Sequence, residues 1–172
     1  MRKDQVRSLK PFLLDETDAL RNQATELSLV EITGPDINKC FQKYPYTVVY
    51  LWRPYCKATS CKPLFYYELI DRKFRDKGVK LLMVSETYQY ELIKRNAEKS
   101  TYDRDLYVMK DAEYGHKPKA GQIKIEREIA PSYTKDGPVD VAEQYFIFKK
   151  NDLVYHGYEI SDHIVDSVLK NN

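Results

Sequence analysis

Two residues stand out for their chemistry. Cys56 and Cys61 are separated by Lys57-Ala58-Thr59-Ser60, in a short stretch between an apolar run and a helical pattern. The start of a helix carries unsatisfied N–H groups and a partial positive charge. Both favour a thiolate, which is the reactive form of cysteine. Two thiols this close in the chain can attack a disulfide and then resolve the mixed disulfide. Four intervening residues permit a bond between them without requiring one, so a pair of thiols with no role is the competing reading. Arg53, Lys57 and Lys62 add positive charge around the pair, which lowers a thiol pKa where the charge faces it; Arg53 could equally point to solvent. Trp52 and Tyr55 flank the loop. Trp52 reads as core packing beneath it or as a substrate contact. The third cysteine, Cys40, falls on the apolar face of a helix with Ile37, Phe41 and Tyr44 and reads as a buried core residue.

The elements that must hold this loop are legible. Residues 46–52, Tyr-Thr-Val-Val-Tyr-Leu-Trp, form the strongest strand signal in the chain, apolar almost throughout, as expected for a strand buried on both faces. Residues 61–76 read as a helix with Phe65/Leu69 and Tyr66/Ile70/Phe74 at four-residue spacing, closed by Lys77-Gly78. Residues 79–84 read as a second buried strand, so strand, helix and strand make a βαβ unit with parallel strands. Elsewhere the periodicity predicts helices over 15–27, 37–44 (capped by Asp36), 88–98 and from 161 onward, and strands over 29–32, 106–109, 145–148 and 153–155, the last two as a hairpin. Residues 111–140 are polar, broken by Pro and Gly, and read as loop plus one short helix near 123–129.

Composition narrows the class. The chain has 172 residues, 42% apolar and 31% charged, which fits one globular domain. Lys plus Arg is 28 against 26 for Asp plus Glu, and a scattered net charge of +2 argues against nucleic acid as a partner. No stretch approaches the ~20 apolar residues of a membrane helix. Three cysteines are too few for a disulfide scaffold. The 15 tyrosines read as a habit of composition, with some available to line a groove.

The row Val48 to Pro63, with Trp52, Tyr55, Cys56, Cys61 and Lys62 in place, resembles the thioredoxin superfamily. The family pattern is a hydrophobic strand, Trp, two residues, an aromatic, the first Cys, a spacer, the second Cys and usually Lys. The departures are equally specific. Family oxidoreductases have two residues between the cysteines, where this chain has four. Thioredoxin carries a buried Asp two residues before the Trp, where this chain has Tyr50. The family places a cis-Pro before the strand facing the cysteines, and residues 142–144 here contain no Pro; Pro138 is the nearest. Sco-like copper proteins are a second comparison, with a Cys pair and a distant His; the matching position holds Val141, and His116 is the nearest stand-in, His156 and His163 reading as solvated. Peroxiredoxins place Thr or Ser three residues before the attacking Cys, a spacing that Thr59 and Ser60 do not meet.

The expectation is therefore an α/β, thioredoxin-like domain spanning 1–172: a central mixed sheet of four to five strands flanked by helices, an N-terminal helical extension over 1–28, a core over 29–172 and an insert over about 111–140. The resemblance implies a thiol–disulfide oxidoreductase of TlpA-like type, with Cys56 as nucleophile, Cys61 as resolving thiol, and Trp52, Arg53, Tyr55, Lys57 and Lys62 shaping the groove or the thiol acidity. It implies no cofactor and no metal, and protein thiols or disulfides as partners. The alternatives are a non-catalytic thioredoxin-fold binding module and, third, a Sco-like copper-handling protein. As written the start lacks a signal segment and reads as cytoplasmic; a trimmed leader would make it a cell-envelope protein.

Overall fold

The computed structural model describes residues 9–17, 29–56, 62–87, 89–100, 103–115, 117–134 and 144–171. Among them seven strands form one mixed sheet in the order β1-β2-β5-β4-β3-β6-β7. The strands are β1 (Leu9–Pro11), β2 (Leu29–Ile32), β3 (Tyr46–Trp52), β4 (Val79–Ser85), β5 (Leu106–Met109), β6 (Gln144–Lys149) and β7 (Asp152–Gly157). The helices are α1 (Gly34–Lys43), α2 (Leu64–Phe74), α3 (Tyr90–Glu98), α4 (Asp111–Tyr114), α5 (Pro118–Ile129), α6 (Pro131–Thr134) and α7 (Asp162–Asn171). As the βαβ pattern requires, β3 and β4 are parallel, from Tyr46 opposite Val79 to Trp52 opposite Ser85. β6 pairs antiparallel on the other side of β3, with Tyr50 opposite Tyr145. The strand that leads to the cysteines is thus central, with a neighbour on each side.

Strand alternation splits the core into two layers. Val48, Tyr50 and Trp52 face one side with Leu81, Met83, Tyr145 and Ile147, beneath α2, α3 and α7. Val49 and Leu51 face the other with Leu82, Val84, Phe146 and Phe148, beneath α1, α4 and α5. β3 and β4 read as nearly continuous apolar runs, interrupted by Thr47, Lys80 and Ser85, because each is covered on both faces. Cys40 is a fully buried thiol in the second layer, on the predicted stripe with Ile37 and Phe41.

Local chemistry sets the element ends. Thr33, in extended conformation, caps α1: its hydroxyl accepts from the Asp36 N–H at 3.3 Å, and the Asp36 carboxylate accepts from the Thr33 N–H at 3.2 Å. Asp36 is therefore the third residue of the helix and not its cap. Its burial would raise its pKa, but hydrogen bonds from Lys39 and Thr33 outweigh this and hold the carboxyl below its ordinary value. Gly78 ends the α2 region at φ 76°, and a Cβ there would also meet Pro45 Cγ at 2.9 Å.

The structure departs from the sequence reading in four places. Among the described residues the sheet has seven strands, not four or five. The N-terminal segment contributes β1, parallel to β2, and a 3-10 turn at Leu14–Glu16; a three-residue strand is too short to show a period, and most of the helix expected over 15–27 lies outside the described residues. The insert is largely helical, as α4, α5 and α6. Its main helix was masked by its own buried face: residues 121, 122, 125, 126, 129 and 130 are buried, and two of them, Gln122 and Glu126, are polar. Finally, Phe65 and Leu69 face solvent, 52% and 60% exposed. The four-residue spacing was correct, but α2 buries Leu64, Tyr67, Ile70 and Phe74.

Candidate functional site

β3 ends in Trp52, 3% exposed, so the indole is core beneath the loop and not a surface contact. The chain then turns: the Cys56 N–H donates to the Arg53 carbonyl at 3.0 Å. Pro54 is buried, Cys56 is half-buried, and Tyr55 is 45% exposed. Lys57 and Cys61 lie outside the described residues. Lys62 is exposed, and α2 begins at Leu64 with Pro63 at its cap position, three residues later than the periodicity predicts. Pro63 lacks the N–H and fixes its own φ, which suits a helix start better than a helix interior.

The loop is held by side chains from three other elements. Glu86, directly after β4, is 5% exposed. Its backbone N–H donates to the Trp52 carbonyl at 3.2 Å, which carries the β3–β4 pairing one step further. Its Oε1 accepts from the Tyr55 hydroxyl and stands 3.0 Å from Arg53 Nε. Arg53 Nη2 donates to Gln122 Oε1 at 2.8 Å, and Gln122 Nε2 donates to Glu126 Oε1 at 2.7 Å, both on α5. From α3, Asn96 Nδ2 donates to the Pro54 carbonyl at 3.2 Å. A buried carboxylate is costly unless a cation and hydrogen bonds offset its lost hydration. Here Arg53 and Tyr55 supply both. Two of the residues expected to shape the groove or the thiol acidity, Arg53 and Tyr55, are thus engaged with Glu86, and Arg53 does not point freely into solvent.

Beneath the loop lies a cluster of tyrosines. Tyr50 and Tyr145 stack with centroids 4.3 Å apart and planes at 12°, and the Tyr67 and Tyr145 hydroxyls are 2.6 Å apart. All three are buried. Tyr50 occupies the position where thioredoxin has its buried Asp. His156 on β7 and His163 on α7 are exposed; His116 and Pro138 lie outside the described residues.

Comparison of the sequence with protein families and with curated proteins found no match. Comparison of the structure did: a thioredoxin-family thiol:disulfide interchange protein from Chlorobium tepidum TLS superposes with a TM-score of 0.53 at 12% identity, over 78% of this chain and 83% of that one. This chain has a thioredoxin-like fold. In that fold Cys56 follows the central strand and precedes the first helix after it. The sequence reading missed Glu86, Asn96, Gln122 and Glu126. A signal for Glu86 was present: open α/β sheets place their sites at the carboxyl ends of the parallel strands, and Glu86 follows one directly. Nothing in the sequence marks the other three. Among the described residues, no helix is long and apolar enough to cross a membrane.

Proposed function

We propose that this protein is a thiol–disulfide oxidoreductase whose substrates are protein thiols or disulfides. The observation that carries the reading is the placement of Cys56: half-buried, in a tight turn at the end of the central strand, just before α2, in a thioredoxin-like fold. Cys56 is the nucleophile. Its thiolate attacks a substrate disulfide, one substrate sulfur leaves as a thiolate and takes up a proton, and a mixed disulfide forms. Cys61 then attacks the Cys56 sulfur and releases the second substrate thiol. The substrate gains two electrons and two protons, and the protein keeps a Cys56–Cys61 disulfide. The same steps in reverse oxidise a dithiol. Tyr55 and Lys62 form the rim of the site, and Trp52 supports it from below. The reaction requires no cofactor and no metal.

The test is covalent trapping. Cys61→Ser should accumulate a mixed disulfide through Cys56 when offered a disulfide substrate, and Cys56→Ser should not. The wild-type pair should equilibrate reversibly with a glutathione buffer. Failure of either would overturn the reading.

A second reading has its own support. Phe65 and Leu69 lie one turn apart on α2, exposed and close in sequence to the cysteines. They suit a binding module that holds a partner without exchanging thiols. Substituting both by Ala would then abolish partner capture, whereas Cys56→Ser would leave it intact. No observation among the described residues favours the copper-handling reading.

A further inference from the structure

We propose that Glu86 is the positioning residue of the cysteine loop and that its charge cancels that of Arg53, so that it restrains thiolate formation at Cys56. The inference rests on the reading of Cys56 as a reactive thiol. Arg53 stands three residues before Cys56 and would be the natural cation to stabilise its thiolate. Its guanidinium is instead committed elsewhere: Nε lies 3.0 Å from Glu86 and Nη2 donates to Gln122 at 2.8 Å. The Glu86 side chain is 3% exposed, so water and salt screen it weakly. The same carboxylate oxygen accepts from the Tyr55 hydroxyl, which fixes the residue next to Cys56.

The charged and polar groups packed against this point come from every side. Arg53 and Tyr55 belong to the loop itself. Gln122 and Glu126 come from α5, and Asn96 comes from α3 by way of the Pro54 carbonyl. Lys62 is on the exposed rim. Arg53 and Glu86 form an ion pair of no net charge, tied to the chain three residues before Cys56 and, through Tyr55, one residue before it. Neutralising Glu86 leaves the cation uncompensated, and a nearby cation favours the thiolate. The geometry thus predicts a sign: loss of the negative charge speeds the thiol, and loss of the positive charge slows it.

The experiment follows iodoacetamide alkylation of Cys56 against pH in a Cys61→Ser background, where Cys56 has no resolving partner. Glu86→Gln keeps an oxygen for Tyr55 and Arg53 and removes only the charge. The alkylation midpoint should move to lower pH, with a rise of about threefold or more in rate at pH 7, since each pH unit of midpoint is about tenfold in thiolate well below it. Arg53→Met should slow alkylation by a similar factor, and the double variant should return toward the starting rate. Glu86→Asp, which keeps the charge, should not speed it. Melting curves confirm that each variant is folded. Unchanged or slower alkylation in folded Glu86→Gln overturns the proposal. If that variant does not fold, an unchanged or faster rate in Arg53→Met overturns it. Trapping of mixed disulfides is a separate readout: if trapping fails while the two charge variants shift the rate as stated, the oxidoreductase reading falls and the role of Glu86 stands.

Discussion

Two carboxylates of this protein are equally hidden, Asp71 and Glu86, each 5% exposed. They belong to opposite ends of the parallel strands. Glu86 follows the last residue of β4, beside the loop that carries Cys56. Asp71, on α2, belongs to a charged cluster at the start of β4, with Arg75, Arg104 and Asp103: Arg75 donates to Asp71, Arg104 Nε is 3.7 Å from it, and Arg75 Nη2 is 3.2 Å from Asp103. Lys80, buried on β4, donates to the Thr17 carbonyl nearby. Both ends therefore bury a carboxylate against arginine. Only one of them does so beside the loop that carries Cys56 and through a phenol on that loop. Burial of charge by itself does not mark a functional site; position at the carboxyl ends of the strands, on the loop of Cys56, is what the proposed function rests on.

The largest effect should separate the two ends outright. Cys56→Ser should abolish thiol–disulfide exchange in a disulfide-reduction assay, while no variant in the Asp71 cluster should change the rate per folded molecule. Next in size is Arg75→Ala. It strips both Asp71 and Asp103 of their nearer cation, leaving Arg104 at 3.7 Å and 3.9 Å. Breaking a buried pair costs roughly 3–5 kcal/mol, and Arg75 is 21% exposed, so about 2 kcal/mol should be lost in urea denaturation, with Cys56 alkylation unmoved. Asn96→Ala should have a smaller effect, about 1 kcal/mol for a hydrogen bond lost to the buried Pro54 segment. Unlike Arg75→Ala, it should also alter Cys56 alkylation, because the carbonyl it releases belongs to the cysteine loop. A change confined to stability would weaken the picture of a clamped loop.

The smallest effect concerns pH. Burial raises the Asp71 pKa above its ordinary value of 3.8, outweighing Arg75, Arg104 and Lys80. A raised carboxyl contributes stability that is fully present below the unfolded value and is lost as pH rises through the folded one. Asp71→Asn removes that titration. The variant should gain stability relative to wild type as pH rises from below 3.8 toward neutrality, measured by urea unfolding across that range. The opposite trend, a variant that loses stability relative to wild type as pH rises, would show that the cations, and not burial, govern Asp71. The Cys56 alkylation profile should be the same in both proteins.

Much of this architecture is written in local residue order. The nearly continuous apolar run of β3, the 3.6-residue stripe of Ile37, Cys40 and Phe41, and the strand–helix–strand succession after Tyr46 determine a parallel β3–β4 pair with Cys56 just beyond the end of β3. Those signals are short-range, and short-range periodicity is what a sequence displays. The side of α2 that meets the sheet was not decided there, because Phe65 and Leu69 obey the same spacing as Tyr66 and Ile70, and only packing selects between two apolar faces. Nor was α5, whose buried face contains Gln122 and Glu126 and so does not read as amphipathic. The partner of Arg53 was likewise a tertiary matter: Glu86 is 33 residues further along the chain and Gln122 is 69. Residue types determined that a thiol would stand at the end of a buried strand; the fold decided which charges would surround it, because charges separated by many residues in sequence meet only where the strands and the insert helix converge.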